Sequence, residues 1–412
     1  MSPRADTDFD LIIAGGGLVG GSLAVALAGL PLKVLVVEAT PPADPGQPSY
    51  DDRATAVSES SRRILEGIAC WSALAPVAMP IRAIHVSERG AFGATRLRAT
   101  DHGLQSFGHV VENRALGAAL WSRIGAADNL VGWSPARVVG LEQEEGLLRV
   151  SIERAGAARI DLSTRLLVAA DGARSPTREL AGISHSARDY GQTALIANLT
   201  PAKDHCGTAY ERFTASGPLA LLPLSRGRAA VVWTLPPEQA AEIAALDDPT
   251  FLAALQVAFG YRLGEFRKVG GRAAYPLSLL LAGAWHAGRV VLVGNAAHGL
   301  HPVAGQGFNL GLRDAAALAE IIARAAPAAD PGAPESLEEY AEWREADRRQ
   351  TIRYTDGLVQ LFTSDFVPLK AGRRLGLVGL DLLSPARAVL ARHGMGLTGR
   401  LPRLALGQPL SP

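Results

Sequence analysis

The chain has 412 residues, enough for roughly two or three domains with real cores, and its 48% hydrophobic and 20% charged content is that of a globular protein. A net charge of +1 gives no reason to invoke nucleic acid or an acidic partner. Two cysteines, Cys70 and Cys206, exclude a disulfide framework and a thiolate metal site, and they fit a reducing, cytoplasmic setting. Lysine occurs only at Lys33, Lys203, Lys268 and Lys370, so arginine is the default cation and no single arginine is read as a signal.

In chain order, FDLIIAGGG reads as a buried strand ending in glycines, and LVGGSLAVALAGL as a helix with small residues on its near face. The uncharged stretch from Leu11 to Leu32 is long enough to suggest a membrane span, but its six glycines and Pro31 fit strand, turn and helix better. The first ten residues, MSPRADTDFD, carry acids where a secretion signal needs a basic flank, so no targeting segment is expected. KVLVVEA is a second buried strand. A loop rich in Pro and Gly follows, then SESSRRILEGIACW as a helix with serine before its first turn.

HVSERG and TRLRAT are candidate strands, and VENRALGAALWSRIGA returns to helix. GLLRVSIER alternates apolar Leu148, Val150 and Ile152 with polar Arg149, Ser151 and Glu153, the period of a half-buried strand. RLLVAADG is another buried strand. From about 183 to 280 the pattern is short and strand-like, interrupted by one helix, PEQAAEIAALDDPTFLAALQVAFG. This block reads as a mostly antiparallel layer inserted into an α/β domain. AAPAADPGAPES is a Pro/Ala linker, and the remainder reads as helical.

Gly15, Gly17 and Gly20 fit GxGxxG between a strand and a helix. Such glycines allow a tight turn, close approach of backbone N–H groups to a pyrophosphate, and helix–strand packing. Glu38, ending the second strand, offers a carboxylate to a ribose diol. The motif binds dinucleotides and does not choose NAD over FAD; a glycine turn kept only for packing is the plain alternative.

Three further stretches make the choice: AADGARSPTREL with Asp171, Gly172, Arg174, Ser175 and Arg178; VVLVGNAAHGLHPVAGQGFNLGLRD; and DDRATAVSESSRRIL with Arg53. In this order and spacing the chain resembles the class A FAD-dependent aromatic hydroxylases with the para-hydroxybenzoate hydroxylase fold. Within them it is most similar to the ubiquinone-biosynthesis hydroxylases, and closest to the branch acting on 2-polyprenyl-6-methoxyphenol. The resemblance covers nearly the whole chain, less closely near 80–105 and 236–270. It implies an α/β fold: a Rossmann-like FAD-binding domain over 1–80, 103–182 and 281–355, a mainly antiparallel substrate-binding sheet over 81–102 and 183–280, and a helical C-terminal segment over 356–412.

By the same resemblance Gly15, Gly17, Gly20 and Glu38 would hold the ADP half of FAD, and Arg53 and Arg114 would lie along the cofactor. Asp171 would serve FAD and NADPH, and Gly307, Phe308 and Asn309 would turn N–H groups toward the flavin pyrimidine edge. A helix start there stabilises the negative charge of the reduced ring. Asp171-Gly172 as a plain turn and Arg114 as a solvated helix residue are the ordinary readings. The family usually has Asp where this chain has Asn295. An amide keeps one acceptor but loses the charge, so weaker FAD binding is expected rather than a new reaction. Asn295 followed by Leu300-His301-Pro302 favours the methoxyphenol branch.

The implied reaction is phenol hydroxylation: NADPH, a transient co-substrate, reduces FAD, and reduced FAD and O2 form a C4a-hydroperoxide that attacks the ring. A base for the phenol would be His298, His301 or Tyr210, each of which also has an ordinary packing role. A polyprenyl tail needs an apolar channel, for which ALIANL and GPLALLPL are candidates or else core strands. A cationic, apolar stretch from Leu369 to Gly394, with Lys370, Arg373, Arg374, Arg387, Arg392 and His393, suits a peripheral membrane or complex contact, or packing onto the body. Another small aromatic substrate and a flavin-binding component without turnover are the alternatives. A flavin halogenase is disfavoured by the missing Trp-x-Trp-x-Ile-Pro signature.

Overall fold

The computed structural model describes residues 7–42, 44, 47, 53–91, 93–156, 158–301, 305–326, 330–363 and 391–410, with side chains of 358–363 left out. Most of the cationic stretch before Arg392 therefore lies outside the described residues, as do Pro302, Val303 and Ala304 of the late glycine-rich turn.

The uncharged run from Leu11 divides into the strand Phe9–Ala14, a glycine turn and the helix Leu18–Ala26. The strand lies at the centre of a sheet, parallel to Val34–Val37 on one side and to Ile160–Ala169 on the other. Leu130–Trp133 and Val290–Leu292 extend the parallel core outward. Strands covered on both faces read as unbroken apolar runs. Here Leu11, Ile13, Val34 and Val36 pack toward helices, while Ile12 and Leu35 pack against Val138, Leu148, Val150 and Ile152. Those last four belong to a hairpin, Ala136–Glu144 and Leu147–Arg154, that joins the lower half of Ile160–Ala169. The result is a three-layer α/β unit.

A second sheet of eight strands contains Ala83–Glu88, Ala94–Arg98, His185–Pro201, Thr208–Thr214, Gly217–Pro223, Ala229–Leu235, Phe266–Ala282 and His298–Gly299. All of its pairings are antiparallel except that of Thr208–Thr214 with Ala83–Glu88. One face is covered by helices, with Leu219, Leu221, Val231 and Trp233 packed on Phe251, Leu255 and Phe259. The other face is left for a cavity.

The single helix expected over 237–260 is two, Pro237–Ala244 and Asp248–Phe259. Asp247 causes the break: its carboxylate accepts the Thr250 N–H at 2.9 Å and starts a new helix, and Pro249 has no N–H to continue the old one. After the linker, the helix Pro334–Thr363 runs back along the molecule. Its start is fixed where Arg289 donates to the Asp330 carboxylate at 2.6 Å. Among the described residues no helix is long and apolar enough to cross a membrane.

Candidate active site

The glycine turn is fixed by sterics. Gly15 has φ +102°, and a Cβ there would lie 2.5 Å from the Ala170 carbonyl oxygen. A Cβ on Gly20 would lie 2.0 Å from the Gly15 oxygen, so only glycine lets the helix approach the strand. The Trp121 indole donates to the Gly16 oxygen at 3.1 Å and closes the turn from behind, a role the sequence did not reveal. Gly17 stands at the helix N-terminus with no side-chain cap, and the first turn has no acidic residue.

Glu38 ends the neighbouring strand and lines the same cavity. Its carboxylate accepts from Gly16 N–H at 2.7 Å, Thr40 N–H at 2.9 Å and Gln47 Nε2 at 3.2 Å. Burial pushes its pKa upward, against the lowering effect of these bonds.

Asp171 and Asn295 come from turns at the ends of adjacent strands. Asp171 accepts from the Ser175 hydroxyl and from Thr177 N–H at 3.0 Å, so it also caps the helix Pro176–Leu180. Arg178, almost wholly buried, donates to the carbonyls of Ala173 and Ala296, each at 3.0 Å, and ties the two turns together. Asn295 is exposed to the cavity. Gly305, Gly307, Phe308 and Asn309 line it from the start of the helix Gln306–Ala325, which again has neither a side-chain cap nor an acid in its first turn. Asn309 uses its side chain as a staple, accepting from Ser58 N–H at 2.9 Å and donating to Ala56 and Gly305 oxygens at 2.8 and 2.7 Å. The helices that begin at Glu59, Pro176 and Asp248 are capped by the side chains of Ser58, Ser175 and Asp247. The helices that begin at Leu18 and Gln306, both at the cavity, have no such cap and keep their N–H groups available to an anion.

Arg53 lines the cavity with its guanidinium 4.7 Å from the Tyr275 ring centre. Arg114 does not: it is exposed and outside the lining, which its buried neighbour Asn113 reaches instead.

The three proton-transfer candidates are also outside the lining. Tyr210 points from its strand to the helix-covered face, with its ring 5.5 Å from Phe259 and 5.6 Å from His85. His298 is buried against Asp314 at 2.6 Å. His301 is buried beneath Tyr190, rings 5.1 Å apart, and burial lowers its pKa to about 4. The lining holds instead a carboxylate that the sequence reading passed over, Glu211. The alternation in TAYERFT puts it on one face with Ala209 and Phe213, opposite Tyr210.

One cavity of about 1920 Å³ joins the glycine turn, the late helix start and the open face of the second sheet. Pockets for a single small ligand are roughly 300–1,000 Å³, so this volume has room for a dinucleotide and a second molecule. A cradle only glycine can form, a carboxylate at the end of the neighbouring strand and two uncapped helix starts fit FAD.

Fold and site define a flavoprotein. Residues 8–355 match the sequence family described as FAD binding domain, and the chain belongs to that family. It is a flavin-dependent monooxygenase of the aromatic hydroxylase type, with FAD as cofactor. The chain is 38% identical to ubiquinone hydroxylase UbiL of Rhodospirillum rubrum over 100% of its own length and 95% of the relative's. It is 30% identical to 3-demethoxyubiquinol 3-hydroxylase of Escherichia coli, over 94% and 98% of the two chains. Its fold is similar to that of p-nitrophenol 4-monooxygenase PnpA from Pseudomonas putida, with TM-score 0.79 at 18% identity over 95% and 98% of the chains.

Proposed function

We propose that this monooxygenase hydroxylates the ring of a polyprenylated phenol of the 2-polyprenyl-6-methoxyphenol class in ubiquinone biosynthesis, with NADPH as transient reductant and O2 as oxygen source. The observation that carries the reading is the continuity of one cavity from the glycine cradle to an apolar sheet face lined by Ile84, Leu97, Phe213, Leu222 and Val232. The names borne by UbiL and by the 3-demethoxyubiquinol hydroxylase support a hydroxylase of ubiquinone biosynthesis, and the choice of the methoxyphenol class rests on Asn295 followed by Leu300-His301-Pro302.

In this reading Gly15, Gly17 and Gly20 would cradle the pyrophosphate, and Glu38 would accept from the adenosine ribose. Arg53, Asp171 and Asn295 would flank the rest of the cofactor. Gly307, Phe308 and Asn309 would present the helix start to the flavin pyrimidine edge, where its N–H groups favour negative charge. FAD supplies the activation of O2, which no side chain can perform. The chain contributes orientation and exclusion of water: the apolar wall takes the tail and holds the ring against the cofactor. Delivery of so apolar a substrate to a cytoplasmic enzyme fits peripheral contact with the inner face of the membrane or with a biosynthetic complex.

The test is metabolite analysis of a strain lacking the gene. Accumulated 2-polyprenyl-6-methoxyphenol, relieved by the wild-type gene, is the expected result. An unchanged ubiquinone pathway would remove the assignment.

A further inference from the structure

The open face of the second sheet is mostly apolar and, among the described residues that line the cavity, carries one carboxyl group. Strand register sets Thr95, Val86, Glu211, Ala220, Val232 and Ile196 side by side across six strands, and all six line the cavity. Glu211 is thus a carboxyl group set in an apolar wall. Its remaining exposure is to the cavity, and among the described residues it has no hydrogen-bond or ion-pair partner. Arg212, next in sequence, turns to the other face and donates to the Ala258 oxygen at 3.2 Å.

The charged and titratable groups that share this part of the lining are Tyr354, Tyr275 and Arg53. Arg53 lies over Tyr275. Tyr354 comes from the helix Pro334–Thr363, with its ring 4.6 Å from that of His393; burial first and the charge of Glu211 second push its phenol up to about 12. Glu38 and Asp171 belong to the glycine-cradle end. A lone carboxyl in an apolar wall has a reason to exist if a polar group of the ligand meets it.

We propose that Glu211 is the catalytic residue that accepts the phenolic proton of the substrate. In that step the phenol O–H bond breaks, an O–H bond forms on the Glu211 carboxylate, and the electron pair stays on the phenolate oxygen, where it activates the ring toward oxygen transfer. The proton returns when the hydroxylated ring regains its hydroxyl. This rests on the phenol reading given under Proposed function. Burial raises the Glu211 pKa to about 7, so the group both takes and gives a proton near neutrality.

The test compares wild type, Glu211→Gln and Glu211→Asp as FAD-loaded full-length chains. The substrates are a geranylated 2-methoxyphenol and its ring-fluorinated counterpart, a more acidic phenol. For Glu211→Gln with the methoxyphenol, kcat is expected to fall about a hundredfold, within the usual range for a lost general base, and to lose its rise with pH across neutrality. The fluorinated phenol loses less, because a larger fraction ionises unaided. Glu211→Asp keeps the pH-dependent rise, and all three proteins hold equal FAD. Wild-type kcat and pH profile in Glu211→Gln would overturn the proposal, as would an equal loss for both phenols at every pH, the mark of a packing role. A wild-type enzyme that hydroxylates neither phenol would remove the phenol reading itself, and this assignment with it.

Discussion

His298 Nε2 lies 2.6 Å from Asp314 Oδ2, and both side chains are fully buried. The same carboxylate accepts from Gly294 N–H at 3.2 Å and, on its other oxygen, from Arg344 Nε at 2.6 Å. Arg344 continues to Asp347 at 2.6 Å, which also holds Arg313 at 2.8 Å. A histidine spent on this network supports the Gly294–Asn295 turn from beneath and does not reach the cavity. Removing one member leaves buried charge uncompensated, so Asp314→Asn is expected to cost about 3–5 kcal/mol. The urea midpoint of the FAD-loaded protein measures it.

Acid should unfold the protein partly through this network. At Asp314, burial pushes the carboxyl up, but His298 and Arg344 more than offset it and hold the pKa below the ordinary value; at Asp347, Arg313 and Arg344 do the same. A depressed carboxylate contributes stability above its unfolded pKa and loses it as pH falls through the folded one. Wild type should therefore lose stability steeply below the ordinary carboxylate range, and Asp347→Asn should show a shallower acid limb from a lower plateau. Thermal melts across acid pH check this.

Glu211 has the opposite sign. Its folded pKa of about 7 is above the unfolded value of about 4.3. The stability linked to its proton is fully present below the unfolded pKa and is lost as pH rises through the folded one. Glu211→Gln does not titrate, so its stability relative to wild type should improve between about pH 5 and about pH 8. Paired denaturation curves at those two pH values measure the difference.

Two neighbouring glycines should respond in opposite ways. Gly20→Ala drives a Cβ to 2.0 Å from the Gly15 oxygen and should cost at least ~1–3 kcal/mol and weaken FAD binding. Gly21→Ala meets Gly16 oxygen and Leu120 at only 3.4 and 3.5 Å, and should be neutral or stabilising by roughly 0.5–1 kcal/mol through helix propensity. Melting temperature and FAD fluorescence titration separate them.

Asn295 faces the cavity with a neutral amide. Restoring a carboxylate by Asn295→Asp should tighten FAD binding by about 1 kcal/mol, the difference between a neutral and a charged hydrogen bond. Titration of apoprotein with FAD gives the ratio of Kd values.

The first strand, its glycine turn and Glu38 were legible because local sterics and burial dictate them: unbroken apolar residues for a strand covered on both faces, glycine where a Cβ collides. The second sheet was legible as strands, but which face lines the cavity was not. Period two separates Tyr210 from Glu211 without saying which side the helices Pro237–Ala244 and Asp248–Phe259 will cover. Tertiary packing decides that, and it turned Tyr210 away. His298 and His301 stand beside the late glycine-rich turn in sequence, yet burial takes both out of the lining. The joint at Asp247 is hidden in the sequence because the apolar pattern runs through it, and it is the Asp247 cap on Thr250 N–H that separates the two helices.

The most direct measurement is mass analysis of product formed under ¹⁸O2 by the purified, FAD-loaded protein with NADPH and a prenylated methoxyphenol. One labelled oxygen on the ring, with NADPH consumed in step, is the result expected of a phenol hydroxylase with this cavity. NADPH oxidation that yields only hydrogen peroxide, with the phenol recovered intact, would contradict it.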